Sequence, residues 1–408
     1  MSGVDDHAGL SIGARIQVIR ERRGKTRAVV AGLVGRSEEW LKSVERGRRA
    51  APRLEMLVRL AEALGVMDVA ELVGAQAASV PLARRAGHEA VPAMREAIEQ
   101  PVLSVSGPVT SAADLGQRAA EAWATWHASA TPRKSVGAVL PQLIRDGRRS
   151  TRVLDGQDRR TAHAALSVAY ALAEQLLAWV ADPALLWTAA DRCMSSAEQA
   201  DDPEILAGAA WVVGNVWRST GREDDAYQLA TDAAALLEPR LTDGPDSIRA
   251  LWGATRLHAA ITAARMGSEG NALHQLDQAE AMVARLPSGY THPWTLFGQA
   301  NTDLTGVNVR VDLHQAASAI DHAGTLDLDA VPSRDRRARV WLETARAYAQ
   351  RRDHTAALAT LRRATEVSTE SMRCHPIARS LAGELVTTGG RMIERDARSV
   401  ASTLGVTM

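Results

Sequence analysis

Alanine pairs seven residues apart recur along the chain, and five of them come at a rough period: Ala190/Ala197, Ala226/Ala233, Ala272/Ala279, Ala316/Ala323 and Ala357/Ala364. Seven residues is close to two helical turns, so each pair sets two small side chains on one helix face. Small side chains there let a neighbouring helix come close. Successive pairs lie 36, 46, 44 and 41 residues apart, a period into which one helical hairpin fits. From residue 112 on, segments with helical periodicity alternate with short breaks at Gly, Pro and Asp. Runs of β-branched residues with period-two alternation are missing. The pattern predicts an all-α chain, most of it a stack of helical hairpins.

The hairpins have finer features. Residues 207–240 place Gly214 at a small site in the first helix, Trp217 at an aromatic site, Gly221 in the turn and Pro239 at the exit. Residues 338–371 carry Trp341, Ala345, Tyr348, Ala357, Leu361 and Ala364 at matching places, and residues 253–286 keep Ala260, Gly267, Ala272 and Ala279. This spacing resembles the tetratricopeptide repeat, with 171–204 and 297–330 matching less closely. The resemblance implies a degenerate tetratricopeptide-like α-solenoid over 161–408. Helices in 112–160, around Trp123 and Trp126, are expected to cap it. Trp252, Trp294 and Phe297 fall near the middle of the stack and are expected to pack it.

The N-terminal segment differs in charge and in pattern. Residues 12–60 hold thirteen Lys or Arg and five Asp or Glu, a local +8 in a chain whose formal net charge is zero. Thr26 precedes a short apolar segment, Gly35 and Arg36 form a turn, and Ser37 opens a second segment that stops at Gly47. That order is helix, tight turn, helix. Gly13-Ala14-Arg15-Ile16 lies upstream. Downstream, Pro52 opens a further helix with Leu57, Val58, Ala61 and Leu64 on one face. Together with Arg23-Gly24-Lys25-Thr26 and Ser43-Val44-Glu45-Arg46-Gly47, these pieces resemble the Cro/C1 (XRE-type) helix-turn-helix domain. The resemblance implies a five-helix DNA-binding domain over 12–73, joined by a Pro-containing connector over 74–111 to the repeats. This design is similar to that of actinobacterial regulators with a helix-turn-helix head and a tetratricopeptide body.

The expected DNA contacts follow from that reading. Arg27 opens the second helix, where the family often has Gln; Arg suits a phosphate or a guanine edge. Arg36, Ser37, Glu38, Glu39, Lys42 and Ser43 are expected to face the major groove, and Trp40 either to contact DNA or to fill a seam between helices. Arg46, Arg48 and Arg49 are expected on backbone phosphates, which supply affinity without reading sequence. Glu38 and Glu39 also favour the helix N-terminus simply as acids.

In the repeat register, the first helix of each hairpin lines a concave face. Asn215, Asn301 and Asn308, three of only four Asn in the chain, fall on lining positions, as do Arg218, Arg265 and Arg346. A carboxamide can both donate to and accept from a peptide backbone, and an arginine can clamp a carboxylate. The expected partners are therefore double-stranded DNA and a peptide or small-molecule ligand, in a homodimer. The expected function is a transcription regulator whose body senses a signal. The alternative is an adaptor or antitoxin-like regulator whose repeats dock a protein. Neither phosphate-binding Gly loop, zinc-protease His pattern nor nucleophile elbow occurs, so no enzyme, cofactor or metal is expected. Cys193 and Cys374 are distant in sequence and read as small buried hydrophobes. With neither a signal peptide nor an apolar run of about 18 residues, a cytoplasmic protein without a membrane segment is expected.

Overall fold

The computed structural model describes residues 10–47, 52, 54–64, 66, 70–73, 87–102, 107–328 and 331–406. They are helical, with no strand among them, and they fall into two units, residues 1–84 and 85–408.

The first unit contains α1 (Ile12–Arg22), α2 (Arg27–Leu33), α3 (Glu38–Glu45), α4 (Leu54–Leu64) and α5 (Ala70–Val73). Three hydroxyls start its helices. Ser11 accepts from the Ala14 N–H, Thr26 from Val29 and Ser37 from Trp40, at 3.2–3.3 Å. Gly35 and Gly47 have φ near +65°, a left-handed conformation that glycine adopts without strain, and it turns the chain out of α2 and out of α3. Ile16, Val30, Leu41, Leu60 and Leu64 are fully buried in one core. The core closes because α1 meets α3 at Gly13: a Cβ there would lie 2.1 Å from the Val44 carbonyl oxygen.

The second unit begins with α6 (Val91–Glu99), α7 (Ala112–Ala128), α8 (Pro132–Gly137) and α9 (Leu140–Val153). Of the connector expected over 74–111, residues 74–86 and 103–106 lie outside the described residues. Residues 91–99 form α6, whose Met94, Ala97 and Ile98 are fully buried in the main core of this unit. Five hairpins follow: α10 (Gly156–Leu177) with α11 (Pro183–Ala200), α12 (Pro203–Ser219) with α13 (Glu223–Leu237), α14 (Asp246–Arg265) with α15 (Glu269–Val283), α16 (Gln299–Asp312) with α17 (Ala316–Gly324), and α18 (Arg334–Gln350) with α19 (His354–Val367). Then come α20 (Thr369–Cys374), α21 (Pro376–Thr388) and α22 (Glu394–Thr403).

Each of the five periodic alanine pairs lies in the second helix of its hairpin. All ten residues are buried except Ala323, which is half-buried. The first helices α10, α12, α14, α16 and α18 pack one on the next and make an inner layer. Cys193 and Cys374 are buried free thiols, as expected. No described helix is long and apolar enough to cross a membrane.

The two ends of the stack also touch. The Glu370 carboxylate in α20 accepts from the backbone N–H groups of Arg133 (2.8 Å) and Lys134 (3.1 Å) at the start of α8, and His88 Nε2 lies 3.3 Å from it. The α18 helix packs against α7 as well.

Replacing Ala272, which is fully buried in the α14–α15 seam, by Leu should overpack it and destabilise the protein by about 1–3 kcal/mol. Thermal or urea denaturation followed by circular dichroism checks this; a variant that melts with the wild type would place Ala272 outside the seam.

Candidate functional site

In the first unit, α3 divides its residues sharply. Leu41, Val44 and Glu45 point into the core, while Glu38, Glu39 and Arg46 are exposed and Lys42 and Ser43 are half-buried. Arg36 and Ser37 precede the helix on the exposed side. Trp40 packs partly on the core, with the Arg36 guanidinium 5.8 Å from its ring centroid. Lys42 Nζ lies 3.1 Å from Glu39, an exposed pair of small energetic weight. Arg48 and Arg49 lie outside the described residues.

Arg27, one of the residues expected on DNA, is half-buried beside Glu45. Its Nε donates to Glu45 at 2.5 Å. The same fully buried carboxylate receives Arg20 Nε at 2.6 Å and Nη2 at 3.2 Å, and Arg20 Nη1 donates to the Lys25 carbonyl. Glu45 holds the Arg20 guanidinium above its usual range, first through this hydrogen bond and against the effect of burial. One carboxylate on α3 thus ties together α1 and the start of α2. It fixes the angle at which the exposed face of α3 is presented.

In the second unit, a loop between α15 and α16 turns inward. Phe297 is fully buried, and it sits where a Cβ on Gly253 of α14 would lie 1.9 Å from its ring. Trp294 packs on Gly208 of α12, 5.8 Å from the Trp123 ring and 6.0 Å from the Trp211 ring. Its carbonyl accepts from His127 Nε2 at 3.2 Å. These rings fill part of the inner layer with the chain's own side chains.

Beyond them the inner faces of the first helices carry charge. Asn308 Nδ2 (3.4 Å), Arg265 Nε (3.6 Å) and Arg346 Nη2 (2.9 Å) converge on Asp312, at the end of α16. Arg346 also pairs with Glu343. Three of the six residues expected on a ligand are therefore brought together, around an acid that the sequence reading did not name. Arg218 Nη2 donates to Asn215 Oδ1 at 2.6 Å and Nη1 to Thr262 at 3.3 Å. The Asn301 side chain joins neither group among the described residues. Burial, then Arg265, push Arg218 down to about 9. Burial pushes the Glu174 carboxyl in α10 up to about 7, against the pull of Gln175 and Arg218.

Asp335, Arg336, Arg339 and Glu343 of α18 were missed as well. Their spacing was a usable signal, because 335, 339 and 343 repeat every four residues on one helix face. Burial opposes the ionised form of Asp335, but Arg339, the Ser371 hydroxyl, Arg133 and Arg336 together outweigh it and hold the acid below its usual range. Burial and Arg339 push Arg336 down to about 10. Arg339 lies 4.6 Å from the Trp179 ring, which is tilted against the His375 ring at 4.3 Å between centroids. Trp179 has φ +66°, an uncommon conformation for a bulky residue.

Comparison with known proteins adds the following. Residues 11–73 match a helix-turn-helix domain family. The first unit is a helix-turn-helix domain. No curated protein matches the chain. Among the solved structures similar to it are the following three. One is Bacillus thuringiensis PlcR in complex with the peptide PapR7 and DNA, at 10% identity and TM-score 0.29, covering 86% of this chain and 98% of that one. Another is the apo form of ComR from S. thermophilus, at 15% identity and TM-score 0.28, covering 92% and 98%. The third is ComR in complex with DNA and its signalling peptide ComS, at 12% identity and TM-score 0.25, covering 97% and 100%.

Two measurements follow from these arrangements. Glu45→Ala leaves Arg20 buried without its counter-charge, and should destabilise the first unit by about 3–5 kcal/mol; an unchanged unfolding profile would show that the pair contributes nothing. The second concerns pH. Burial, then Arg336, lower His127 to about 4, and burial lowers His292 to about 3. Unfolded imidazoles protonate near pH 6.5, so below that pH the unfolded chain binds more protons than the folded one. Stability should be full above about 6.5 and fall as the pH drops toward 4. His127→Gln, which keeps a donor for the Trp294 carbonyl, should flatten the dependence of the melting temperature on pH over that range; an equal slope would mean that His127 titrates freely in the fold.

Proposed function

We propose that the protein is a sequence-specific DNA-binding transcription regulator whose helical body responds to a signal. The carrying observation is the exposed side of α3 in a domain that matches the helix-turn-helix family. That side presents Arg36, Ser37, Glu38, Glu39, Lys42, Ser43 and Arg46, while Glu45 anchors the opposite side. Ser37 and Lys42 stand where a recognition helix meets base edges, and Arg36 and Arg46 flank them as phosphate contacts. Glu38 and Glu39 favour the helix dipole and limit how closely the phosphates approach. Arg27, with its Nε on Glu45, acts in this reading mainly by orienting α3.

The signal-binding part of the reading rests on the inner layer of the body. It gathers Arg and Asn side chains from successive first helices, as a polar ligand requires. The protein works as a homodimer in this proposal, since helix-turn-helix domains commonly read paired half-sites. No catalytic step is proposed.

Fluorescence anisotropy of the full chain on DNA fragments, at several salt concentrations, tests the first part. Affinity should fall steeply as salt rises, and Arg46→Ala should reduce the slope of log K against log salt by about one, with similar loss on all sequences. Lys42→Ala should instead weaken sequence preference. Salt-independent binding, or an Arg46→Ala variant that binds like the wild type, would count against DNA recognition by this face.

A further inference from the structure

A cleft of about 290 Å³ lies where α9 meets the α10–α11 hairpin. Its volume is at the small end for ligand pockets and suits a small molecule better than a stretch of peptide. None of the six Asn and Arg residues expected on a ligand lines it. The lining is one-sided in charge: Arg148 and Arg152 of α9 and Arg192 of α11 contribute to it, and no Asp or Glu does. Asp146 of α9 takes Arg118 and Arg149 instead, and Asp155 takes Arg159. Asp191 and Glu198 of α11 stay out of the lining. None of the three guanidinium groups has a carboxylate within 4.0 Å among the described residues. Arg148 donates to the Ala97 and Ile98 carbonyls at the end of α6, and Arg152 to the Val102 carbonyl just beyond it. Arg192 is exposed and makes neither a hydrogen bond nor an ion pair among the described residues.

Two buried hydroxyl groups share the lining. Tyr170 is 1% exposed and Ser196 7%, yet neither hydroxyl has a hydrogen-bond partner among the described residues. Neither oxygen is sealed in the core, so both open onto the cleft. A hydroxyl so placed is unfavourable unless something from solvent bonds it. Water would satisfy the hydroxyls, but it brings no charge to three guanidinium groups around one opening. A phosphate group brings close to two negative charges and three acceptor oxygens, which suit planar guanidinium forks and hydroxyl donors together. We propose that this cleft binds a phosphorylated small molecule, its phosphate on Arg148, Arg152 and Arg192 and its remaining acceptors on Tyr170 and Ser196. The site is separate from the inner layer and does not depend on the reading given to that layer. Because Arg148 and Arg152 also hold the end of α6, an occupied cleft ties α6, α9 and α11 together.

The test is thermal unfolding of the full chain at constant ionic strength, titrated with inorganic phosphate, with glycerol phosphate and with succinate. Both phosphates should raise the midpoint saturably, and succinate less. Arg192→Gln removes a guanidinium that holds nothing else in the chain, and Tyr170→Phe a hydroxyl without a partner, so both should melt with the wild type when no phosphate is present. In Arg192→Gln the half-saturating phosphate concentration should rise about tenfold, as for loss of a charge-assisted hydrogen bond. In Tyr170→Phe it should rise about threefold or more. Arg160→Gln, on the exposed start of α10, should leave it unchanged. Should Tyr170→Phe lower the midpoint by itself, Arg192→Gln decides. A midpoint that climbs linearly with phosphate, equally in every variant, is the general salting effect of that ion and overturns the site. Succinate matching phosphate, with the same loss in Arg192→Gln, makes the cleft a carboxylate site and overturns the phosphate assignment. No rise with either phosphate, or a saturable rise that Arg192→Gln leaves intact, overturns the proposal.

Discussion

The body depends on close approach between helices. Buried alanines stand along the second helices of the hairpins, where a larger side chain would push neighbouring helices apart. Close approach sets the first helices side by side, and that places polar groups from α12, α14, α16 and α18 within one region. The charges on those helices are far apart in sequence and meet only because the seams are thin. A single large residue in a seam would therefore act on the inner face without touching any of its charged groups.

The first unit uses a different device for the same end. Its core is small, and the direction of α3 is fixed by a buried carboxylate shared between two arginines. Such a pair is a weak source of net stability, but breaking it is costly, so it selects one geometry over near alternatives. The caps at Ser11, Thr26 and Ser37 and the turns at Gly35 and Gly47 set where the helices begin and end, and Glu45 sets how they lean.

Much of this was legible from residue spacing. The alanine pairs marked the second helices, Thr26 and Ser37 marked two helix starts, and Gly35 marked the turn, because each reflects chemistry within a few residues. Partners chosen across the fold were not legible. Arg27 is drawn to Glu45, eighteen residues on, by the need of a buried carboxylate for charge. Asn308, Arg265 and Arg346 do meet, yet their meeting point is Asp312, which looks from the sequence like an ordinary helix-end acid. The loop carrying Trp294 and Phe297 has no periodicity to reveal its inward turn, although Gly208 and Gly253, the residues that make room for it, stand in plain view.

The contact between Glu370 and the start of α8 changes how such a stack must come apart. An open array of hairpins loses its end units first, since each end has one neighbour, and its stability is close to a sum over adjacent pairs. Here the last hairpins lean on α7 and α8, so fraying at one end removes a cap from the other. Residues more than two hundred positions apart become direct neighbours, which raises the entropy cost of folding and couples the termini of the body. The body is thereby suited to open and close as one cooperative object, so that a molecule bound at any point along the inner layer bears on the whole of it.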